Sequence, residues 1–208
     1  MNSMISVLKY FPNLDDRKKA QLAALKPLYD DRNAKINLIS RKDMDNFYEH
    51  HVLHSLSIAK VIDFERNTTV LDVGTGGGFP GIPLAILFPE VNFVLIDSIG
   101  KKIKVVQDVV QQIGLKNVKS IQIRAEQLNV SFDFVVSRAV TDLPTFYGWV
   151  RHKIRKKGFN KLKNGILYLK GGDLKAEIAA VGRPVELYPI SEIFPEPYFD
   201  EKYIVYLK

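Results

Sequence analysis

The sequence predicts an α/β fold: a mostly parallel sheet with an antiparallel C-terminal strand, preceded by an N-terminal helical extension. Three observations carry this. From Val70 onward short β-rich runs alternate with helical patterns, the signature of a parallel sheet wound by crossovers. The stretch LDVGTGGGFPGIPLAILFP, Leu71 to Pro89, which runs from the first strand through the first crossover helix, carries five glycines and three prolines. The last two β-rich runs have no convincing helix between them, because Pro195 and Pro197 forbid one, and a pair so joined is more easily antiparallel.

Leu14–Arg32 carries apolar residues at helical spacing, with Asp15 and Asp16 favouring its positive end, and Pro27 is expected to kink or divide it. Asp43–Phe64 reads as one further helix through Phe47, Val52, Leu56, Ile58, Ala59 and Ile62. Strands are expected at Val70–Val73, Phe93–Asp97, Ser120–Arg124, Phe132–Ser137, Ile166–Lys170, Val185–Ile190 and Tyr203–Leu207. Helices between them are expected at Gly81–Phe88, Lys101–Ile113 and Leu143–Lys157. Residues 1–64 then form the helical extension and 65–208 one compact domain, with the extension packed on the sheet; no repeat or low-complexity segment interrupts them.

A chain of 208 residues, 46% apolar and 25% charged, belongs to the soluble globular class. Its longest apolar runs, such as Gly81–Phe88, are too short to cross a bilayer, and MNSMISVLKYF lacks the basic and apolar regions of an export signal. The absence of cysteine removes disulfides, thiolate catalysis and cysteine-bound metals, and is compatible with the cytosol. Net charge is +7, and its distribution is uneven. Between Leu143 and Gly172 there is no acid, while Arg151, Lys153, Arg155, Lys156, Lys157, Lys161, Lys163 and Lys170 all fall inside. Such a segment reads either as a phosphate-backbone footprint or as a solvated helix end and loop.

The glycine stretch sits at the carboxyl edge of the first parallel strand, where open α/β sheets bind ligands. Glycines there allow positive φ and close approach to the backbone. Asp72 lies at the strand tip, and Asp97 ends the second strand, placed to accept hydrogen bonds from a ribose diol. Gly76, Gly78 and Gly81 satisfy the GxGxxG spacing of dinucleotide sites, but a carboxylate at Asp72 would repel a pyrophosphate. It would attract an α-ammonium. S-adenosylmethionine, with an ammonium, a sulfonium and a ribose but no phosphate, suits two acids around such a loop; a loop that is merely tightly packed, or a nicotinamide or flavin site, is the alternative.

DVGTGGGFPGIPLAI, LIDSIGKKIKVV, RAEQ, FDFVVSRAV and YLKGG together resemble the glucose-inhibited division protein B family, as do NAKINLIS and HHVLHSL in the N-terminal part. The resemblance runs from about Asp30 to Gly172. It implies a Rossmann-like S-adenosylmethionine-dependent methyltransferase sheet, acting in the cytoplasm on a guanine N7 of small-subunit (16S) ribosomal RNA. It further implies that Asp72, Gly74, Gly76, Phe79, Asp97, Ala125, Glu126 and Arg138 surround the cofactor, with Arg138 at the mouth. Lys170 is suited to a phosphate or base, and Arg138, Lys156, Lys157 and Lys161 are candidates to hold RNA, extended by Arg41 and Lys42. Where relatives commonly carry Asp, His54 stands here. The implied partner is small-subunit ribosomal RNA or an assembling subunit, met by a monomer without metal or membrane.

Guanine N7 carries a lone pair and no proton, so no general base is called for, and no hydrolase constellation is present. His50, His51 and His54 form HHxxH, but without the glutamate of HExxH they read as capping or interface histidines. Trp149, Phe194, Tyr198 and Phe199 read as packing residues, with base stacking as the alternative, Phe79 either as a core residue or as a contact to cofactor or base, and Asn37 as a helix cap or a site residue. The rival functions are a same-fold methyltransferase for a small molecule or protein, a cofactor-sensing RNA-binding module, and a dehydrogenase.

Overall fold

A computed structural model describes residues 4–34, 36 and 38–208, with the side chains of Arg41 and Lys42 outside the description; Asn37 therefore lies outside the described residues. Seven strands form one sheet: β1 Thr69–Val73, β2 Asn92–Asp97, β3 Val118–Gln122, β4 Phe134–Arg138, β5 Gly165–Gly171, β6 Val185–Pro189 and β7 Lys202–Leu207. Their order is β3-β2-β1-β4-β5-β7-β6, parallel from β1 through β5, with β7 antiparallel to both its neighbours. The chain leaves β1 toward β2 and β3, then returns to place β4 on β1's other side. That reversal opens a crevice beyond the carboxyl ends of β1 and β4.

The helices are α1 Met4–Tyr10, α2 Asp16–Asn33, α3 Arg41–Asp45, α4 His54–Leu56, α5 Gly81–Leu87, α6 Gly100–Gln112, α7 Leu143–Val150 and α8 Lys175–Val181. One apolar cluster joins Leu22, Leu25, Tyr29, Phe47 and Leu56 of the N-terminal part to Val70, Phe93 and Phe134 of the sheet. A second fills the opposite face, where Phe146 of α7 stacks on Tyr168 at 4.3 Å between centroids.

Pro27 does not divide the helix: α2 runs through it. Pro27 has no N–H for the carbonyl four residues earlier, Ala23. Tyr48 supplies the missing donor, its hydroxyl donating to Ala23 O at 3.2 Å. The single helix expected at Asp43–Phe64 is instead α3, a π-helical turn at Tyr48–Leu53, α4, and a 3-10 turn at Ser57–Lys60. The expected helix Leu143–Lys157 stops at Val150 because the next residues pair with the sheet. Phe132 N–H donates to Lys153 O at 2.7 Å, and Arg155 N–H to Phe132 O at 2.9 Å. The third strand begins two residues earlier than its pattern, set by pairing with β2 from Phe93↔Val118 to Asp97↔Gln122. Both α1 and α8 lack a sequence-level expectation.

The Tyr48–Ala23 bond predicts a coupling. Tyr48→Phe should cost about 1–2 kcal/mol by orphaning the Ala23 carbonyl. In a Pro27→Ala background, where residue 27 brings its own N–H, the same substitution should cost clearly less. Urea unfolding of the four proteins measures this; equal costs in both backgrounds would show that Tyr48 does not stand in for the missing donor.

Candidate active site

The glycine loop is held from within. Asp72, fully buried at the end of β1, accepts the Thr75 hydroxyl at 2.6 Å and the Gly81 N–H at 2.9 Å through one oxygen, Oδ2. A Cβ on Gly81 would lie 2.7 Å from that oxygen, so the helix must start with glycine to come this close. Several other loop amides are also committed. Gly78 and Phe79 N–H donate to Thr75 O, Thr75 N–H to Ile96 O, and Gly76 N–H to Asp97 Oδ2 at 3.0 Å. Gly74 and Gly76 have φ of +66° and +58°, and Gly76 faces open space, its nearest neighbour being Gly74 O at 3.9 Å from a Cβ position. A pyrophosphate needs free amides at a helix start, and here a carboxylate already occupies that position.

Asp72 is therefore not placed to meet an ammonium directly, as its position in the sequence suggested. Its charge acts from beneath the loop, and its Oδ1 has no hydrogen-bond partner among the described residues. Burial pushes its carboxyl up to about 7, against the Thr75 and Gly81 hydrogen bonds that favour the anion.

Two cavities meet at the carboxyl edge. The first, about 440 Å³, is lined by Gly74, Asp97, Ala125, Glu126, Arg138 and Ala139 among others. Asp97, 7% exposed, is oriented by backbone N–H groups: Ile99 donates to Oδ1 at 2.9 Å and Gly76 to Oδ2. Ile99, Arg124, Val140 and Trp149 also line it and were not anticipated there. Trp149 makes an edge contact with Phe146, so it packs as expected and walls the cavity as well. The second cavity, about 280 Å³, shares Arg138 and Ala139 with the first and is lined further by Asp43, His50, His51, His54, Tyr198 and Lys202. Ala139 is one of two non-glycine residues with positive φ, +48°, among those described. The turn after β4 is pinned by Tyr168, whose hydroxyl accepts the N–H groups of Val140 and Thr141 and donates to Thr141 O.

Arg138 stands in the shared wall. Its guanidinium donates to His50 O at 2.9 Å and to His51 Nδ1 at 2.8 Å, and lies 5.5 Å over the Phe79 ring. Burial lowers its pKa. A guanidinium has no acceptor, so His51 Nδ1 must accept and its ring proton must sit on Nε2. Burial and the Arg138 charge hold the His51 pKa down to about 3, and burial holds His54 well below its usual range, so both rings are neutral near pH 7.

Several candidates stand elsewhere than their motifs suggested. The Phe79 side chain is 3% exposed and packs on Tyr29, Phe47 and His51, so it supports the loop from below and does not line either cavity. Lys170 is buried and its ammonium is taken up by Glu177 and by Thr141 O, which fastens the turn after β4 and leaves no free cation for a phosphate. Lys156, Lys157 and Lys161 are exposed but lie at the opposite edge of the sheet. Arg155 there donates to Asp133 and Thr69, and Asn160 accepts from Glu65 N and Thr68 Oγ1, all at the amino ends of β1 and β4. A five-residue strand separates the edges by roughly 17 Å. This basic cleft, about 690 Å³, is distinct from the two cavities. Phe194 and Phe199 are fully buried, as packing residues should be, while Tyr198 turns into the second cavity. His50 Nδ1–H donates to Asp43 Oδ1 at 2.9 Å, and the His50 ring stacks on Tyr198. Among the described residues no group of three His, Asp or Glu is arranged to hold a metal, and no helix is long and apolar enough to cross a membrane.

The strand order, the glycine loop and the cavity at the switch point define a Rossmann-like methyltransferase fold. The chain resembles a solved S-adenosylmethionine-dependent methyltransferase from Aquifex aeolicus with a TM-score of 0.56 and 15% identity, covering 81% of this chain and 97% of that one. The family profile described as rRNA small subunit methyltransferase G matches residues 18–191. The chain is 59% identical over 204 residues to ribosomal RNA small subunit methyltransferase G of Flavobacterium johnsoniae, covering 98% of this chain and 97% of the relative. To the protein of the same name from Bacteroides thetaiotaomicron it is 54% identical over 200 residues, covering 96% and 97%. It belongs to the rRNA small subunit methyltransferase G family and is a methyltransferase.

The buried carboxyl yields a pH prediction. An ordinary aspartate releases its proton near 3.8 in the unfolded chain, whereas native Asp72 holds its proton up to about 7. The native state then binds more protons between those values, and this group's contribution to stability falls as pH rises through that window. Asp72→Asn keeps an acceptor for Thr75 and Gly81 and cannot ionise. Its stability relative to the parent should rise steadily between pH 5 and pH 8 in urea unfolding; parallel pH profiles would refute the raised carboxyl.

Proposed function

We propose that the chain transfers the methyl group of S-adenosylmethionine to N7 of a guanine in small-subunit ribosomal RNA, in the cytoplasm. The observation that carries this reading is the pair of cavities meeting at Arg138 and Ala139, one flanked by acids and the other by aromatic and imidazole groups. The first suits the methyl donor. The first amide of α5 is taken by the Asp72 carboxyl, which disfavours phosphate there, and Asp97 and Glu126 offer acceptors to a ribose diol and an adenine edge.

S-adenosylmethionine, when bound, supplies an electrophilic methyl on a sulfonium. Guanine N7 attacks with a lone pair and has no proton to lose, so catalysis reduces to alignment, and effective molarity is its main lever. Asp97, fixed by two backbone amides, anchors one reactant; Arg138, fixed by His50 and His51, holds the wall between the reactants. The Tyr168 hydroxyl and the Lys170–Glu177 pair keep the turn after β4 from drifting. Lys156, Lys157 and Lys161, a strand's length from the chemistry, would hold RNA phosphates outside the modified nucleotide's own neighbourhood.

Labelled S-adenosylmethionine should transfer its methyl to ribosomal RNA, and chemical cleavage followed by reverse transcription should place the mark at one guanine N7. Label found only on protein or small molecules would overturn the reading. Asp97→Asn should weaken S-adenosylhomocysteine binding about tenfold or more in calorimetry, the scale of losing charge-assisted hydrogen bonds. Changing Lys156, Lys157 and Lys161 together to Ala should leave S-adenosylhomocysteine binding unchanged and flatten the log–log salt dependence of RNA binding by about 2 units, at ~0.7 per contact. An unchanged slope would remove that surface from RNA binding.

A further inference from the structure

The second cavity has features that the cofactor does not use. Asp43, from the N-terminal extension, points a carboxylate at its rim: Oδ2 takes the Ser40 hydroxyl at 2.6 Å and Oδ1 meets His50 Nδ1 at 2.9 Å. Its pKa is lowered, first by the Ser40 hydrogen bond, so it is an anion and accepts only. Beside it, the rings of His50 and Tyr198 stack at 3.8 Å with 13° between planes, making a flat aromatic wall. Lys202 places its ammonium 5.3 Å over the Tyr198 ring. Two buried polar atoms, His51 Nε2 and His54 Nε2, have no partner among the described residues, although both rings line the cavity and are 8% and 4% exposed. Buried polar groups ordinarily find partners, so two orphans lining one cavity point to a ligand with polar edges.

The edges can be matched. A methyltransferase that acts on N7 has to leave that atom free and hold the base by its other edge. Guanine's Watson–Crick edge offers two adjacent donors, N1–H and the N2 amine, with O6 as an acceptor beside them. A base taken out of its stack is read at that edge and packed against aromatic side chains. Resting on the function proposed above, we propose that this cavity is the acceptor-guanine pocket. Asp43 accepts from N1–H and the N2 amine, Lys202 and the His51 Nε2–H serve O6, the His50–Tyr198 pair forms the stacking wall, and N7 faces the Arg138–Ala139 wall of the donor cavity. Asp43 and Tyr198 are thus positioning residues that choose guanine over adenine, whose Watson–Crick edge carries the opposite pattern at its 1 and 6 positions.

The test compares RNA carrying guanosine with RNA carrying inosine, which lacks the N2 amine, at the mapped nucleotide. The unmodified enzyme should favour guanosine in kcat/KM by about tenfold, the worth of one charge-assisted hydrogen bond. Asp43→Asn should lose most of that preference, and the ratio between the two enzymes cancels any difference in intrinsic N7 reactivity. Tyr198→Ala should raise KM for RNA about tenfold or more, the scale of one stacked base, while Tyr198→Phe stays near the parent. S-adenosylhomocysteine binding should be unchanged in all three. A preference of tenfold kept by Asp43→Asn, no preference in the unmodified enzyme, or a Tyr198→Ala variant that binds S-adenosylhomocysteine and keeps its KM for RNA would each overturn the pocket. Should Asp43→Asn fail to fold, the inosine ratio of the unmodified enzyme and the Tyr198 pair still decide. Failure of the function itself looks different: no guanine would be methylated by the unmodified enzyme.

Discussion

The site depends on one buried carboxylate. Asp72 Oδ2 joins the tip of β1 to Thr75 and to the first amide of α5 across nine residues of chain; Gly81 permits the close approach, and Gly74, Gly76 and Gly78 supply positive φ in the turn between. A desolvated carboxylate is costly, and the chain accepts that cost where it organises the ligand loop. The same bond decides what kind of ligand the loop receives. In a dinucleotide site the start of the helix is left open for phosphate oxygens; here a protein carboxyl has taken their place. What remains is a concave, Cβ-poor surface lying over a buried carboxyl.

The N-terminal extension takes part in building the site. Tyr29 of α2 donates its hydroxyl to Gly77 O, and its ring packs on Phe79, so the loop is held from outside the sheet as well as from β1. His50 and His51 hold Arg138 through a backbone carbonyl and a ring nitrogen. Neutral His51 is essential to that arrangement, because a protonated ring would present a donor to a guanidinium that can only donate. The wall between the two cavities is therefore made by β4 and completed by residues that come nearly ninety positions earlier in the chain.

The basic surface obeys a different logic. Asn164 fastens its loop by donating to Arg155 O and Lys157 O, so the lysines stand on a fixed scaffold at the amino edge of the sheet. Charges there do not touch the reacting atoms. On the proposed function, their long-range field and phosphate contacts would act on how a large RNA docks, which spans the separation between the two edges with ease.

Sequence alone determined the sheet, because alternation of apolar runs and crossover helices has few solutions, and strands β1, β2, β4 and β5 lie within a few residues of their patterns. The motifs, through the family resemblance they carry, also picked out residues that line the first cavity: Gly74, Asp97, Ala125, Glu126 and Arg138. Local signals failed where a distant partner overrode them. Pro27 reads as a helix break until Tyr48 satisfies Ala23; Lys170 reads as a free cation until Glu177 arrives from α8; Asp72 reads as a ligand contact until its depth is known. The acid-free segment reads only as a phosphate-backbone footprint or a solvated helix end and loop, with no place in the fold, because sequence carries charge and no direction, and the end of a strand from which a loop departs is decided by topology. The second cavity was the least legible: its walls come from Asp43, His51, Arg138, Tyr198 and Lys202, and no pattern in one dimension joins residues that only tertiary packing brings together.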